Sequence, residues 1–217
     1  MATEKFHTGL ARLVEDIQVM GTFALDMLTD SVRAFKELDL ELATSVDERK
    51  HRLDEYDRDI EERALILLTL HQPMAGDLRT IACVLKMDTY LNRIGRYAKD
   101  IARDARAMAE GAHMTKVVLI PRQGELVRGM IEDALRAFRE DDIAPIANIA
   151  ERDDEVDALW DMVFRECITY MMEDPHNISH CLHYVMVSRH LERCGDHACK
   201  IAEKVHYKVT GEHIEIK

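Results

Sequence analysis

The chain of 217 residues has little of what strands and tight turns require: nine glycines, four prolines and 6% aromatic residues, beside a hydrophobic fraction of 47%. Sandwiches and barrels draw on turn formers and on β-branched or aromatic strands, so this shortage argues against them and for helices. Positive charge is short too, with 29 Lys and Arg against 41 Asp and Glu and a formal net charge of -12. Binding to a phosphate backbone rests on clustered Lys and Arg, so no nucleic-acid partner is expected. Long apolar runs are missing as well. The longest nearly unbroken one, ALILLTL from Ala64 to Leu70, is far below the roughly 20 residues that span a bilayer. The opening MATEKFHTGL has no long apolar core, so the chain reads as soluble, without an export signal or membrane insertion.

Thiol chemistry and familiar catalytic signatures are equally scarce. Cys83, Cys167, Cys181, Cys194 and Cys199 are odd in number, have no CxxC spacing and sit within helical apolar pattern. They read as small buried hydrophobes in a reducing cytoplasm. No HExxH, GxxxxGK[ST], GxGxxG or GxSxG occurs, which leaves catalysis without support beyond a possible metal.

What the sequence does contain is helical periodicity, twice over. Apolar residues at Phe6, Leu10, Leu13, Ile17, Met20, Ala24 and Met27 step by three and four, predicting a helix over about 4–37. A second run, about 40–71, is stopped by HQPMAGD, in which Pro73 and Gly76 break the helix and Asp77 can cap the next. The third run covers about 77–110 and ends at Gly111. After an irregular stretch around AHMTKVVLIPRQGE, helices are expected over about 122–140, from Pro145 to about 173, and over about 178–209. Sliding the chain on itself by 103 residues aligns AFKELD (Ala34 to Asp39) with AFREDD (Ala137 to Asp142), and core positions Leu53 with Val156 and Ile60 with Val163. The shift falls to 100 for the last helix of each half, where LNRIGRYAKDIA (Leu91 to Ala102) matches LERCGDHACKIA (Leu191 to Ala202). The fold class is therefore all-α: two tandem three-helix bundles related by a repeat of about 100 residues, spanning 1–112 and 113–217. Gly95 and Gly195 stand mid-helix in both copies, where Gly costs up to about 1 kcal/mol relative to Ala, so each bundle should have a close helix approach there.

The two copies differ in their acids. Asp153 and Asp157 are i and i+4 on one helix of the second half, and Glu192 and Asp196 repeat that spacing on the next. Like charges so placed repel unless a cation joins them. Helical wheels set Glu192 and Asp196 away from the core stripe, towards solvent, and Asp157 at the flank of its own. If the helices are neighbours, these acids meet in a surface groove able to hold a hard or borderline cation; a solvated acidic face is the alternative. Seven of the eleven histidines fall from His176 onward, and His176, His183, His190 and His197 are spaced by seven. Such a ladder lies along one side of the last helix, as a polar flank or a partner-facing stripe, on the opposite flank from Glu192. Its steps of about 10 Å are too long for shared ligation.

TYMMED (Thr169 to Asp174), LERCGDHACKIAE (Leu191 to Glu203), HQPMAGDLR (His71 to Arg79) and LNRIGRYAKDIA together resemble the PhoU family over nearly the whole chain. The resemblance implies a cytoplasmic negative regulator of phosphate uptake and phosphate-regulon signalling, linking the ATPase subunit of a phosphate ABC transporter to a sensor histidine kinase, as a homodimer. It also implies iron or zinc, as an ion or cluster, at Asp153, Asp157, Glu192 and Asp196, which match the family's E(D)xxxD motifs. The first half departs from that pattern, with Lys50 in place of the first acid before Asp54, and Asn92 and Arg96 in place of the later pair; metal is expected only in the second half. Two other readings stand beside this one: a metal-dependent hydrolase of a phosphate compound, since carboxylates and a cation can activate water, and an accessory protein of a low-affinity phosphate permease.

Overall fold

The structure, a computed structural model, describes residues 2–109 and 119–216. Among the described residues six long helices follow one another: α1 (Ala2–Glu37), α2 (Leu40–His71), α3 (Ala75–Ala109), α4 (Leu119–Glu140), α5 (Ile149–Glu173) and α6 (Ile178–Thr210). Among the described residues there is no strand, so the chain adopts the all-α class expected of it. The boundary between halves at 112 and 113 lies outside the described residues, as does the irregular stretch up to 118, while the rest of that stretch, from Leu119, is the start of α4.

The repeat shows in how helices end. Leu38 takes a left-handed φ of 55°, and the Asp39 N–H donates back to the Ala34 carbonyl at 3.0 Å. Asp141 does the same with φ 54°, and the Asp142 N–H donates to the Ala137 carbonyl at 3.2 Å. A six-to-one bond across a left-handed residue satisfies the last helical carbonyls, and AFKELD and AFREDD write this terminus twice. The next helices start differently. Asp39 caps α2 by accepting the Leu42 N–H at 2.9 Å. In the second half Pro145 enters a 3-10 turn, Ala144–Ile146, and α5 begins only at Ile149. The helix expected to start at Pro145 therefore starts four residues later, because the tight turn intervenes. Nor is Asp77 a cap: α3 begins at Ala75 and Asp77 lies in its first turn, where a carboxylate still suits the positive end of the helix.

Within each half the three helices pack on one another, and α1 against α4 and α3 against α6 join the halves. One buried apolar cluster runs through all of them, from Leu13 and Ile17 to Ile201 and Val205. All five cysteines are buried and none is in a disulfide, as their flanking pattern indicated. The two mid-helix glycines mark equivalent close approaches. A Cβ at Gly95 would clash with Leu53 Cδ2 and stand 3.7 Å from Met27 Sδ. At Gly195 it would stand 3.1 Å from Asp153 Oδ1, 3.5 Å from Val156 Cγ1 and 3.9 Å from Met130 Cε. Leu53 with Val156 and Met27 with Met130 are repeat partners, so the same three-helix contact is built twice.

Candidate metal centre

The core stripes of α5 (Val156, Leu159, Val163, Cys167) and α6 (Leu191, Cys194, Ala198) are fully buried, which leaves the flanks of the two antiparallel helices facing each other across an outer groove. Asp153 and Asp157 come to that groove from α5, Glu192 and Asp196 from α6. Gly195 has no side chain to hold Asp153 away from α6, and the Cys199 thiol hydrogen-bonds the Asp153 carboxylate. Burial, then the charges of Asp157 and Asp196, push the Asp153 carboxyl up to about 6. Asp157 is raised by burial, Asp196 and Asp154, and Glu192 by burial and Asp196 against the opposing pull of Arg189 and Arg193. The four carboxyls therefore form one electrostatic unit with excess negative charge.

Glu192 is not where the helical wheel puts it. The side chain is 9% exposed rather than solvated. The guanidinium of Arg189 bonds Glu192 Oε1 and lies 5.5 Å from the centre of the Trp160 ring on α5, closing the groove above the acid. Arg193 stands 3.8 Å from Glu192 Oε2 and bonds Asp196 at 3.3 Å. Neither arginine was assigned a role from sequence, although each stands three residues from its acid, a spacing that signals an ion pair on a helix.

In the first half the same four places hold a closed, neutralised set. The Lys50 ammonium bonds the Asp54 carboxylate and donates to Asn92 Oδ1 at 3.1 Å, while Asn92 Nδ2 donates to Asp54 Oδ1 at 3.1 Å. Burial works against the Asp54 anion, but the bonds from Lys50 and Asn92 outweigh it and hold its pKa below the usual carboxylate range. A side-chain ammonium thus occupies the acid cluster from within.

The family resemblance implies a cation at these residues. Among the described residues no three His, Cys, Asp or Glu side chains already stand in a ligating arrangement. The donor set fits nonetheless: four carboxylates suit a hard or borderline cation, the raised pKa of Asp153, Asp157 and Glu192 records uncompensated charge, and the buried Glu192 Oε2 receives no hydrogen bond. A bound cation at Asp153, Asp157, Glu192 and Asp196 would supply charge neutralisation, tying α5 to α6.

The histidine ladder turns out to face the protein's own first half. His183 Nδ1 bonds Asp104 Oδ1 at 2.8 Å, His190 stacks on Tyr97 at 5.5 Å, and His197 stacks on Tyr90 and Tyr97 at 5.6 and 5.8 Å. His176 is apart from them, exposed in the turn before α6 beside Asp174. Burial and the nearby Arg93 push His197 down to about 4, so it is neutral at the interface. One acid pair went unread in the sequence. Asp88 on α3 is 4% exposed, and burial together with Asp57 and Glu61 on α2 pushes its carboxyl up to about 8.

These features define an all-α tandem-repeat protein with an acid groove on its second repeat and a lysine-filled counterpart on its first. The family model for the PhoU domain matches residues 17–105 and again 120–205, and the chain belongs to the PhoU family. It is 39% identical over 206 residues to a protein of Caulobacter vibrioides (strain NA1000 / CB15N) named phosphate-specific transport system accessory protein PhoU homolog, covering 94% of this chain and 90% of that one. A Rhizobium meliloti protein of the same name is 37% identical over 207 residues, covering 95% and 87%. The crystal structure of PhoU from Pseudomonas aeruginosa superposes with a TM-score of 0.92 at 35% identity, covering 95% of this chain and all of that one.

Proposed function

We infer that this chain is a regulatory accessory protein of phosphate transport, working in the cytoplasm through protein contacts and not through turnover. The observation that carries the reading is the PhoU match over both repeats, together with relatives named as accessory proteins of the phosphate-specific transport system. No described helix is long and apolar enough to cross a membrane, so the transporter must be reached from a surface. In this reading the chain contacts the ATPase subunit of a phosphate ABC transporter and a sensor histidine kinase, restraining uptake and the phosphate-regulon signal, and does so as a homodimer. Iron or zinc held by Asp153, Asp157, Glu192 and Asp196 braces α5 and α6. Deletion of the gene, with phosphate uptake and a phosphate-responsive reporter measured, tests the reading together with crosslinking to both partners. Higher uptake and loss of signal control on deletion, with crosslinks to the ATPase and kinase, are expected; an unchanged phosphate response with no crosslinks would refute it.

A further inference from the structure

The outer faces of the two helical hairpins are an internal comparison: one fold, one exposed surface, two sets of side chains. On α5, Phe164, Ile168 and Met172 stand at i, i+4 and i+8, and on α6 so do Ile178, Leu182 and Met186; all six are between 40 and 82% exposed. The repeat counterparts on α2 and α3 are Glu61, Leu65, Thr69, Leu78, Ala82 and Lys86. Four of the six places are therefore polar or small in the first half, and all six are large and apolar in the second. The first half's further exposed large apolar side chains are Val19 on α1, Leu40 at the start of α2, and Ile66, Leu70 and Met74 at the tip of its hairpin.

On each helix the three apolar residues follow one another along its exposed side. Trp160 on α5 meets Arg189 on α6 across the groove, and Phe164 stacks on Trp160 at 5.6 Å, which carries the contact line from the acid cluster to the apolar stripe. From Asp157 to Met172 the face runs about 22 Å at 1.5 Å per residue. Its base carries Asp153, Asp154, Asp157, Asp161, Glu192 and Asp196 against Arg165, Arg189 and Arg193, a surplus of negative charge beside an apolar track.

We propose that the outer face of α5 and α6 is a docking groove for one amphipathic helix of a partner protein, about 15 to 18 residues long, with an apolar stripe and a Lys- or Arg-bearing end over the acids. Charge decides the occupant. A second copy of this chain brings a net charge of -12 to an acidic face, and an anionic lipid surface is repelled by it in the same way. A helix with a basic end matches both parts of the groove. The surface rests on the accessory-protein reading and supplies the contact site that reading needs.

The test uses the full chain as purified and again in chelator, so that binding is read with and without a cation on the acids. It is titrated by fluorescence anisotropy with 18-residue peptides tiling the cytoplasmic segments of the phosphate transporter subunits of the same organism, and against the intact ATPase subunit. Binding is expected from peptides that are amphipathic with a basic end, and Met172→Glu with Leu182→Glu should weaken it roughly tenfold or more. The counterpart variant Thr69→Glu with Ala82→Glu, of the same charge change on the same fold, should stay within about twofold. Circular dichroism checks that both fold. Binding that survives in Met172→Glu/Leu182→Glu, or falls equally in both variants, overturns the groove and leaves the accessory role standing. Failure of the wild-type chain to bind any transporter subunit, whole or as peptides, overturns that role and the groove with it. A loss of dimer mass in Met172→Glu/Leu182→Glu with peptide binding unchanged reassigns the face to a contact between copies.

Discussion

Asp54 and Asp157 are the same residue of the internal repeat, and their surroundings move their acidities in opposite directions. At Asp54 the Lys50 ammonium and the Asn92 amide overcome burial and favour the anion. At Asp157 burial, Asp196 and Asp154 disfavour it. The first half has thus built a cation into its own chain beside Asp54, while the second leaves Asp157 among other acids.

Metal should therefore be restricted to the second half. Elemental analysis of protein purified without added metal is expected to find iron or zinc, and Asp157→Asn with Glu192→Gln should remove it. Lys50→Asp with Asn92→Glu and Arg96→Asp should create a second site and raise the metal content per chain. No rise in that triple variant would show that the difference between the halves lies elsewhere. In chelator, Asp157→Asn alone should stabilise the fold by a few tenths of a kcal/mol, read from denaturant melts, because it relieves repulsion at a partly exposed group.

The two glycines should respond differently to a methyl group. Gly95→Ala drives a Cβ into buried Leu53, and overpacking of this kind costs about 1–3 kcal/mol, more than helix propensity returns. Gly195→Ala meets a carboxylate oxygen at 3.1 Å, which can shift, so it should cost less stability while lowering metal affinity. Urea unfolding and metal titration of both variants separate the two effects; equal losses of stability would contradict the assignment.

Asp88 should make the protein less stable as pH rises. Its folded carboxyl is raised to about 8 by burial, Asp57 and Glu61. The folded state holds a proton that the unfolded chain releases near pH 4, so the stability is fully present below that point and drains away up to pH 8. Asp88→Asn should flatten this slope, gaining about 1–3 kcal/mol at pH 8 relative to pH 4. Thermal melts across that range check it, and parallel wild-type and variant curves would show that Asp88 is ionised in the fold.

His197 has the opposite sign. Burial and Arg93 lower it to about 4, so the unfolded chain takes up a proton near 6.5 that the folded interface refuses, and stability is lost as pH falls from 6.5 to 4. His197→Phe, which can keep the stack on Tyr90 and Tyr97, should remove about 1–3 kcal/mol of that acid sensitivity. Melts at pH 5 and 7 give the answer; a variant as acid-sensitive as the wild type would place the loss in other groups.

Much of this molecule was written locally. Apolar steps of three and four set the six helices, because burial needs one face per helix whatever the helix meets. AFKELD and AFREDD fixed two equal helix ends through bonds that span only five residues. The shared Gly95 and Gly195 announced a close approach before any neighbour was known. The four acids and their altered counterparts were legible as well, being a matter of residue type and spacing.

Which groups those residues meet was decided by packing between segments distant in the chain. A wheel built on α6 alone sends Glu192 to solvent, but Arg189 reaching Trp160 on α5 covers it. The ladder from His183 to His197 reads as a polar flank or a partner-facing stripe, and what it meets is α3 of the same chain. Asp88 gives no sign of a raised pKa until burial and α2, with Asp57 and Glu61, surround it. Periodicity records how much of a helix is buried; dielectric and charge at one atom depend on every helix around it, and only the tertiary structure supplies those neighbours.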